Sequence, residues 1–450
     1  MKTPTIAIFD IGKTNKKLFL FNENYEIVYE ETTQFAETHD EDNDPCENLA
    51  LLNSWLIAAW ERIKQHPDFD VKAVNFSGYG ASFVHIGADN KPVTPLYNYL
   101  KPYPETLKKQ FYDTYGGQEA FAVQTASPVL GNLNSGMQLY RLKYEKPDVF
   151  EQIKTSLHLP QYLSFLLSKK CYSDITSIGC HTNLWDFQKN QYHEWVAPLP
   201  ESSDRPKGRV TSFHSKLAPV LNNSNTFDFK TGILQFPLRG LGGFGIGLHD
   251  SSAALIPYLA SFSEPFVLIS TGTWCVSMNP FNDSPLTFEE LQQDCLCYLS
   301  YQGKSVKAAR LFAGHEHEQA VKKLAEQFGV SVDYYKTVLF NQTLIENSND
   351  STYEAAYHQL MFEIVNKQLI STALVLNNSP VNRIFVDGGF SKNSIYMHLL
   401  ASAFPEKEIY AATVAQASAL GAALAIHEAW NTQTLPNRLI DLQLYRAITV

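Results

Sequence analysis

Residues 5–21 read TIAIFDIGKTNKKLFLF: an apolar run ending in Asp10, a short turn carrying Gly12, Thr14 and Asn15, and a second apolar run from Leu18 to Phe21. The pattern predicts a β-hairpin that presents one carboxylate and a row of backbone N–H groups at its tip. Gly12 lets a bulky anion approach the backbone, and successive N–H groups can cradle phosphate oxygens. Thr14 and Asn15 add donors, while Lys13, Lys16 and Lys17 add positive charge. Asp10 would repel a bare polyphosphate, so its presence points to a bridging Mg²⁺ and its waters. Taken in isolation, the same stretch is equally an ordinary surface hairpin.

The rest of the chain supplies the context. Its 450 residues exceed one ordinary core, so two or three domains are expected. With 44% hydrophobic and 18% charged residues the composition is globular rather than disordered. A net charge of −10 argues against a nucleic-acid binder but not against a local anion site. No apolar run is long enough to span a bilayer, and the N-terminus lacks a signal-peptide core. The six cysteines show no framework spacing, and Cys295 and Cys297 read as part of an apolar strand. A soluble, reducing, cytoplasmic protein is the expectation.

Outward from the hairpin, residues 24–33 read as a third strand and the acidic stretch 37–44 as a loop. Helical spacing over 47–65 places Leu51, Leu52, Trp55, Ala58 and Ala59 on one side. A buried strand over 71–76 ends in Ser77-Gly78-Tyr79-Gly80, where a ligand can approach. Residues 93–103 read as a loop or pocket wall, 136–170 as helical with Pro160 opening a helix at 159–167, and 201–240 as loops and short strands. Glycines over 241–247 precede an exposed His249-Asp250 pair and a helix at 251–259. The domain boundary is placed here, giving 1–250 and 251–450.

The second half repeats the first in outline. A strand at 265–269, a polar turn at 270–274 and a return strand at 275–278 mirror the opening hairpin. A strand at 383–386 runs into a glycine turn at 387–393 and a helix at 394–404, much as 71–80 does. A helix of small residues at 416–428 closes the pattern. Recurrence of a unit weighs more than any single motif. Two such halves facing each other would set two glycine turns on opposite walls of one cleft.

These motifs carry a resemblance. DIGKTNKK at 10–17, FSGYG at 76–80, GLHDSSAA at 247–254, STGTW at 270–274, VDGGFSKN at 386–393 and ALGAALA at 419–425 occur in the order of the FGGY family of carbohydrate kinases. The chain resembles that family over essentially its full length. The His-Asp-Ser run and the STGTW turn are most similar to its L-rhamnulose and L-fuculose kinase branch. The resemblance implies an α/β fold of two actin-like (ribonuclease H-like) domains with a nucleotide and sugar cleft between them. The N-terminal domain would bind sugar and carry the first phosphate segment; the C-terminal domain would bind nucleotide. ATP and Mg²⁺ are the implied cofactors. Asp250 matches the family's general base and Asp10 its metal-holding carboxylate. Gly12, Lys13, Thr14, Asn15 and Lys17 match the first phosphate segment, and Gly272 and Thr273 the second. Gly388, Gly389 and Asn393 match the adenosine segment. Gly80, Ala81, Tyr99 and His249, with Asp250, match sugar contacts.

Plainer readings stand beside these. An Asp after glycines is by itself a helix N-cap, and His249 beside it could simply bond to backbone. Lys13 and Lys16 read as solvated lysines, and Lys13 stands where a small hydroxyl residue is common in the family. His315 and His317 in GHEHE read as helical residues rather than metal ligands, because positions two apart do not share a helix face. Tyr97, Tyr99 and Tyr103 read as packing. Many family members carry a W-x-D-x-R pattern whose Asp grips sugar hydroxyls; here the aligned residues are Tyr97, Tyr99 and Lys101. Tyr99 would suit a less polar sugar, so a ketose or deoxy-ketose such as L-rhamnulose or L-fuculose is the expected acceptor. Xylulose, gluconate or glycerol are the alternatives within the family, and a catalytically silent sugar and nucleotide sensor is the alternative outside enzymes. The expected partners are a small-molecule sugar and ATP, with a homodimer allowed and neither nucleic acid nor membrane.

Overall fold

The computed structural model describes residues 1–196, 213–235, 242–346, 351–377, 379–414, 416–436 and 438–447. Of the expected loop region 201–240, residues 201–212 and 236–240 lie outside that description. The chain divides into two compact units. The first comprises Met1–Pro257, Cys297–Lys304 and Ala415–Asn437; the second comprises Tyr258–Leu296, Ser305–Val414 and Arg438–Val450. Two later segments therefore return to the first unit, which no single cut in the chain can express.

In the first unit, β1 (Thr3–Ile11) and β2 (Lys16–Asn22) form the expected hairpin, with Asp10 opposite Lys17. β3 (Ile27–Thr33) pairs antiparallel with β2. The helix α1 (Leu49–Lys64) leads to β4 (Phe69–Gly78), which lies parallel to β1 and sets Ser77 beside Asp10. Short strands β5 (Thr226–Phe227), β6 (Leu234–Gln235) and β7 (Gly243–Gly245) extend the sheet past β4, in the order β6-β5-β7-β4-β1-β2-β3. β8 (Leu248–His249) runs parallel to the end of β4, with His249 beside Gly78. Three strand ends thus converge at Asp10, Gly78 and His249. Burial holds them there: Ile6, Ile8, Phe9, Phe19, Phe21 and Phe76 are fully enclosed, and apolar burial is the main stabilising term.

Two expectations need correction. The apolar stripe of α1 is Leu49, Leu52, Leu56, Ala59, Trp60 and Ile63, while Leu51 and Ala58 face solvent. Period counting found the helix but rotated its face, because the stripe is set by what packs on it. Within 136–170, residues Thr155–His158 form a strand paired antiparallel with Phe83–Ile86. That partner is remote in sequence, so local pattern could not reveal it. The helix that follows, α2 (Leu159–Ser168), opens with Pro160 in its first turn as expected. It anchors the β7–β8 segment, with Ser164 Oγ donating to the Gly245 carbonyl (2.6 Å) and Gln161 Nε2 to that of Gly247 (2.9 Å). The helix α3 (Asp250–Ser261) starts immediately after β8.

The second unit repeats the plan. β9 (Phe266–Thr271) and β10 (Cys275–Asn279) form a hairpin, and β11 (Ser305–Leu311) pairs antiparallel with β10. Helices α4 (Ala313–Phe328) and α5 (Tyr353–Leu376) precede β12 (Arg383–Gly388), which is parallel to β9. After α6 (Ser394–Ala403), β13 (Glu408–Thr413) adds parallel to β12 and β14 (Asp441–Tyr445) antiparallel to β13. In each sheet the first strand of the hairpin lies between its antiparallel partner and a later parallel strand, and in the second sheet the strand Cys295–Leu299 adds beyond β11 at the edge. This is the expected actin-like, ribonuclease H-like core, present twice. Among the described residues no helix is long and apolar enough to cross a membrane.

Candidate active site

Asp10 and Asp250 organise the candidate site, and both belong to the first unit. Asp10, half-buried one residue before the end of β1, accepts a hydrogen bond from Ser418 Oγ (2.9 Å). Burial pushes its carboxyl up to about 6; the Ser418 bond and the Lys17 charge oppose this, and the Asp250 charge adds to it. Asp250 opens α3, where the Ser251 N–H and hydroxyl donate to its Oδ1 at 2.6 and 3.3 Å. Surrounding protein pushes this carboxyl up to about 6 as well, against those two bonds, although 35% of the side chain stays open. A carboxylate poised close to neutrality takes a proton more readily than an ordinary one. Two nearby like charges also favour a cation between them.

His249 was expected to be exposed; it is buried, 4% accessible. Its Nε2 lies 3.4 Å from Asp250 Oδ1 and 3.6 Å from Cys180 Sγ, and the Tyr298 ring meets it edge-on. Burial lowers the imidazole to about 4, so it is neutral at pH 7 and the contact with Asp250 is polar rather than ionic. Among the described residues His249 Nδ1 has no hydrogen-bond partner. The His249 N–H donates to Thr176 Oγ1 (3.0 Å), whose hydroxyl donates in turn to buried Asp174. Gly80 explains itself here: a Cβ at that position would stand 2.6 Å from His249 Cδ2. Ala81 holds a left-handed φ of 65°, and its carbonyl accepts from Gln138 Nε2 (2.7 Å). Tyr99 is half-buried and meets Tyr79 edge-on at 6.0 Å; burial raises its phenol and the Asp250 charge adds to the shift.

The first turn closes with the Gly12 N–H on the Asn15 carbonyl (2.9 Å), leaving Thr14 and Asn15 exposed. Lys17 Nζ donates to Gln416 Oε1 (3.0 Å), and Lys13 pairs with Glu37 (2.6 Å). Lys16, expected in solvent, is instead enclosed against Glu47, because the alternation of β2 turns it inward. Lys101 is buried too, bonded to Asp40, Asp42 and Asp44 of the acidic stretch, and the Tyr97 hydroxyl reaches Glu41. Of the three residues aligned with W-x-D-x-R, only Tyr99 is thus coupled to Asp250.

In the second unit, the Gly272 N–H closes on the Trp274 carbonyl (2.9 Å), a turn one residue tighter than that of Gly12 and Asn15. Gly272 and Thr273 are exposed, and the Thr273 carbonyl accepts from the His315 N–H (3.1 Å). Gly388 has a φ of 88° and a Cβ there would stand 1.9 Å from the Thr271 carbonyl, so that turn needs glycine for its own backbone. The Gly389 N–H also binds that carbonyl (3.0 Å). Asn393 caps α6 through Oδ1 and donates from Nδ2 to Tyr357 (2.7 Å). His317 is buried against the same Tyr357 hydroxyl (3.0 Å), and His315 stacks on Phe312. Cys295 and Cys297 lie in the strand Cys295–Leu299.

Among the described residues no group of three or more His, Cys, Asp or Glu could hold a metal ion. Mg²⁺ does not need one, since it keeps several waters and commonly binds through one or two carboxylates and substrate phosphates. Asp10, raised beside a second carboxylate, fits that role. Sequence reading missed Glu47, Tyr79, Thr176, Gln416 and Ser418; Tyr79 lies in FSGYG but its hydroxyl was given no role there, the other four stand in no recognisable motif, and each is tied to the site by a contact distant in sequence.

Three family profiles match the chain: the FGGY family of carbohydrate kinases, N-terminal domain, over residues 5–204; the carbohydrate kinase FGGY, C-terminal domain, over 263–349; and the FGGY family of carbohydrate kinases, C-terminal domain, over 341–430. A rhamnulokinase of Halalkalibacterium halodurans is 23% identical over 184 residues, which cover 39% of this chain and 39% of that relative. The match thus spans well under half of the relative's length. A carbohydrate kinase from Novosphingobium aromaticivorans superposes with a TM-score of 0.76 at 20% identity, covering 100% of this chain and 95% of the other. The ligand-bound xylulose kinase from Lactobacillus acidophilus gives 0.77 at 15% identity, covering 99% and 94%. At these identities the structural likeness is one of fold.

Proposed function

The chain belongs to the FGGY family of carbohydrate kinases, and on that premise we propose that it transfers the terminal phosphoryl group of ATP to a hydroxyl of a sugar or polyol. The observation that carries this reading is geometric: Asp10 near the end of β1 and Asp250 at the start of α3, directly after β8, stand where the first unit's strand ends converge, and burial raises both carboxyls. Asp250 accepts the proton of the acceptor hydroxyl as that oxygen bonds to the γ-phosphorus. The bond from phosphorus to the ADP oxygen breaks, and ADP leaves. Asp10 would hold Mg²⁺, largely through water; the bound ion supplies charge neutralisation on the phosphate oxygens. Gly12, Lys13, Thr14, Asn15 and Lys17 are assigned to phosphate, as are Gly272 and Thr273. Gly388, Gly389 and Asn393 are assigned to the adenosine, and Gly80, Ala81, Tyr99 and His249 to the sugar.

The similarities include kinases named for different acceptors, and they support the broad reading, a sugar or polyol kinase, more than a deoxy-ketose one. Tyr99 in place of a carboxylate favours a less polar acceptor. One panel separates the readings: ADP release with rhamnulose, fuculose, xylulose, gluconate and glycerol. Turnover on one or more, lost in Asp250→Ala, is the expected result. Nucleotide binding without turnover on any would favour a silent sensor. ATP hydrolysis undiminished without sugar would favour a phosphoanhydride hydrolase.

A further inference from the structure

Lys16 and Glu47 form an ion pair inside the first unit, with Nζ 3.0 Å from Oε2 and the residues 1% and 5% exposed. A pair this deep adds little net stability. The desolvation of both charges offsets most of their attraction, and apolar replacements are often neutral or better. Its other bonds indicate a different use. Lys16 Nζ also donates to the Lys13 carbonyl (3.0 Å), inside the first phosphate turn. Glu47 Oε2 also accepts from the Tyr79 hydroxyl (3.3 Å), and the Tyr79 ring meets Tyr99. The Glu47 backbone bridges to Leu96, at the start of the segment that carries Tyr99. The Tyr99 phenol in turn feels the Asp250 charge. One carboxylate therefore joins the turn at 12–15 to the aromatic wall beside Asp250.

We infer that Glu47 is a positioning residue for phosphoryl transfer: through Lys16 it fixes the first phosphate turn, and through Tyr79 it fixes the Tyr99 ring. The inference rests on the kinase reading above. It divides the effect between two arms, one on the nucleotide side and one on the sugar side.

The double variant Lys16→Met with Glu47→Leu removes both charges, so neither is left buried without a partner. It should melt near the wild-type temperature, while KM for ATP rises at least about fivefold and kcat falls, as expected when a positioning group is lost. Calorimetric binding of ADP with Mg²⁺ reads the nucleotide arm without turnover and should weaken in parallel. Tyr79→Phe cuts only the hydroxyl contact; it should raise KM for the sugar and leave KM for ATP unchanged. If the double variant does not fold, Glu47→Gln, which keeps the side-chain shape, carries the same measurements. A folded variant with wild-type KM values and wild-type ADP affinity overturns the inference and leaves the kinase reading standing. A wild-type chain that phosphorylates no sugar and binds no ADP overturns both.

Discussion

Asp250, the proposed base, shows how a single side chain can weigh against stability. Its folded-state value of about 6 lies above the ordinary 3.8, so the folded chain binds this proton more readily than the unfolded one. The ionised carboxylate therefore opposes folding at pH 7, and that opposition disappears below the ordinary value. Asp250→Asn should stabilise the chain at pH 7 by on the order of 1 kcal/mol, discounted for the open part of the side chain, and by nothing near pH 3.5. Paired melting curves at the two pH values check this. The same variant should lose about 10²–10⁴-fold in kcat. In the wild type the rate should fall as pH drops through about 6, with apparent values belonging to the coupled Asp10–Asp250 pair. A flat profile between pH 5 and 7 would remove Asp250 as base. Gly80 gives a second test at this scale. In Gly80→Ala the new methyl would meet the His249 ring, so KM for the sugar should rise about tenfold with KM for ATP unchanged. Initial rates varied in each substrate separate the two, and an unchanged sugar KM would mean that His249 does not touch sugar.

At the scale of elements, the opening hairpin was legible because its signal is local. Two apolar runs, a glycine turn and Asp10 all lie within the same short stretch, and the register follows from the turn. The strand Thr155–His158 was not legible, since only its partner Phe83–Ile86 makes it a strand. The burial of Lys16 was hidden for the same reason: what it pairs with, Glu47, comes 31 residues later. The helix Ala417–Ala425 makes the point most sharply. Its sequence announces close packing, but nothing in it announces that Ser418 reaches Asp10 or that Gln416 reaches Lys17. Ser418→Ala deletes one hydrogen bond to the proposed metal-holding carboxylate. Such a bond is worth about 1 kcal/mol, so the Mg²⁺ concentration for half-maximal rate should rise about fivefold while the melting temperature changes little. Rates titrated with Mg²⁺ at fixed ATP measure it, and a superimposable titration would detach Ser418 from metal binding.

For the molecule as a whole, the repeat of hairpin and parallel strand was readable, because each half spells it in its own residues. How the chain is shared between the two units was not, because that depends on which late segments find partners in the first. Residues 415–437 do so through many contacts. Buried Asn75 donates from Nδ2 to the Ala422 carbonyl (2.8 Å), and the Gly242 N–H to that of Ala429 (2.6 Å). The Tyr25 hydroxyl meets His427 Nδ1 at 2.6 Å, Asn431 Nδ2 donates to the Glu23 carbonyl, and Trp430 is enclosed. Without this segment, Asn75 in the central strand β4 keeps a buried donor with no acceptor, at a cost of about 1–3 kcal/mol, and the apolar surface that covered Trp430 is opened. That is a large share of the stability a domain of this size has to lose. A fragment of residues 1–257 should therefore show no cooperative thermal transition. The same fragment extended by a flexible linker to 415–437 should regain one, with near-ultraviolet dichroism returning as the buried aromatic rings are fixed again. Cooperative melting of 1–257 by itself would show that the returning segment is an attachment to the first unit and not part of its core.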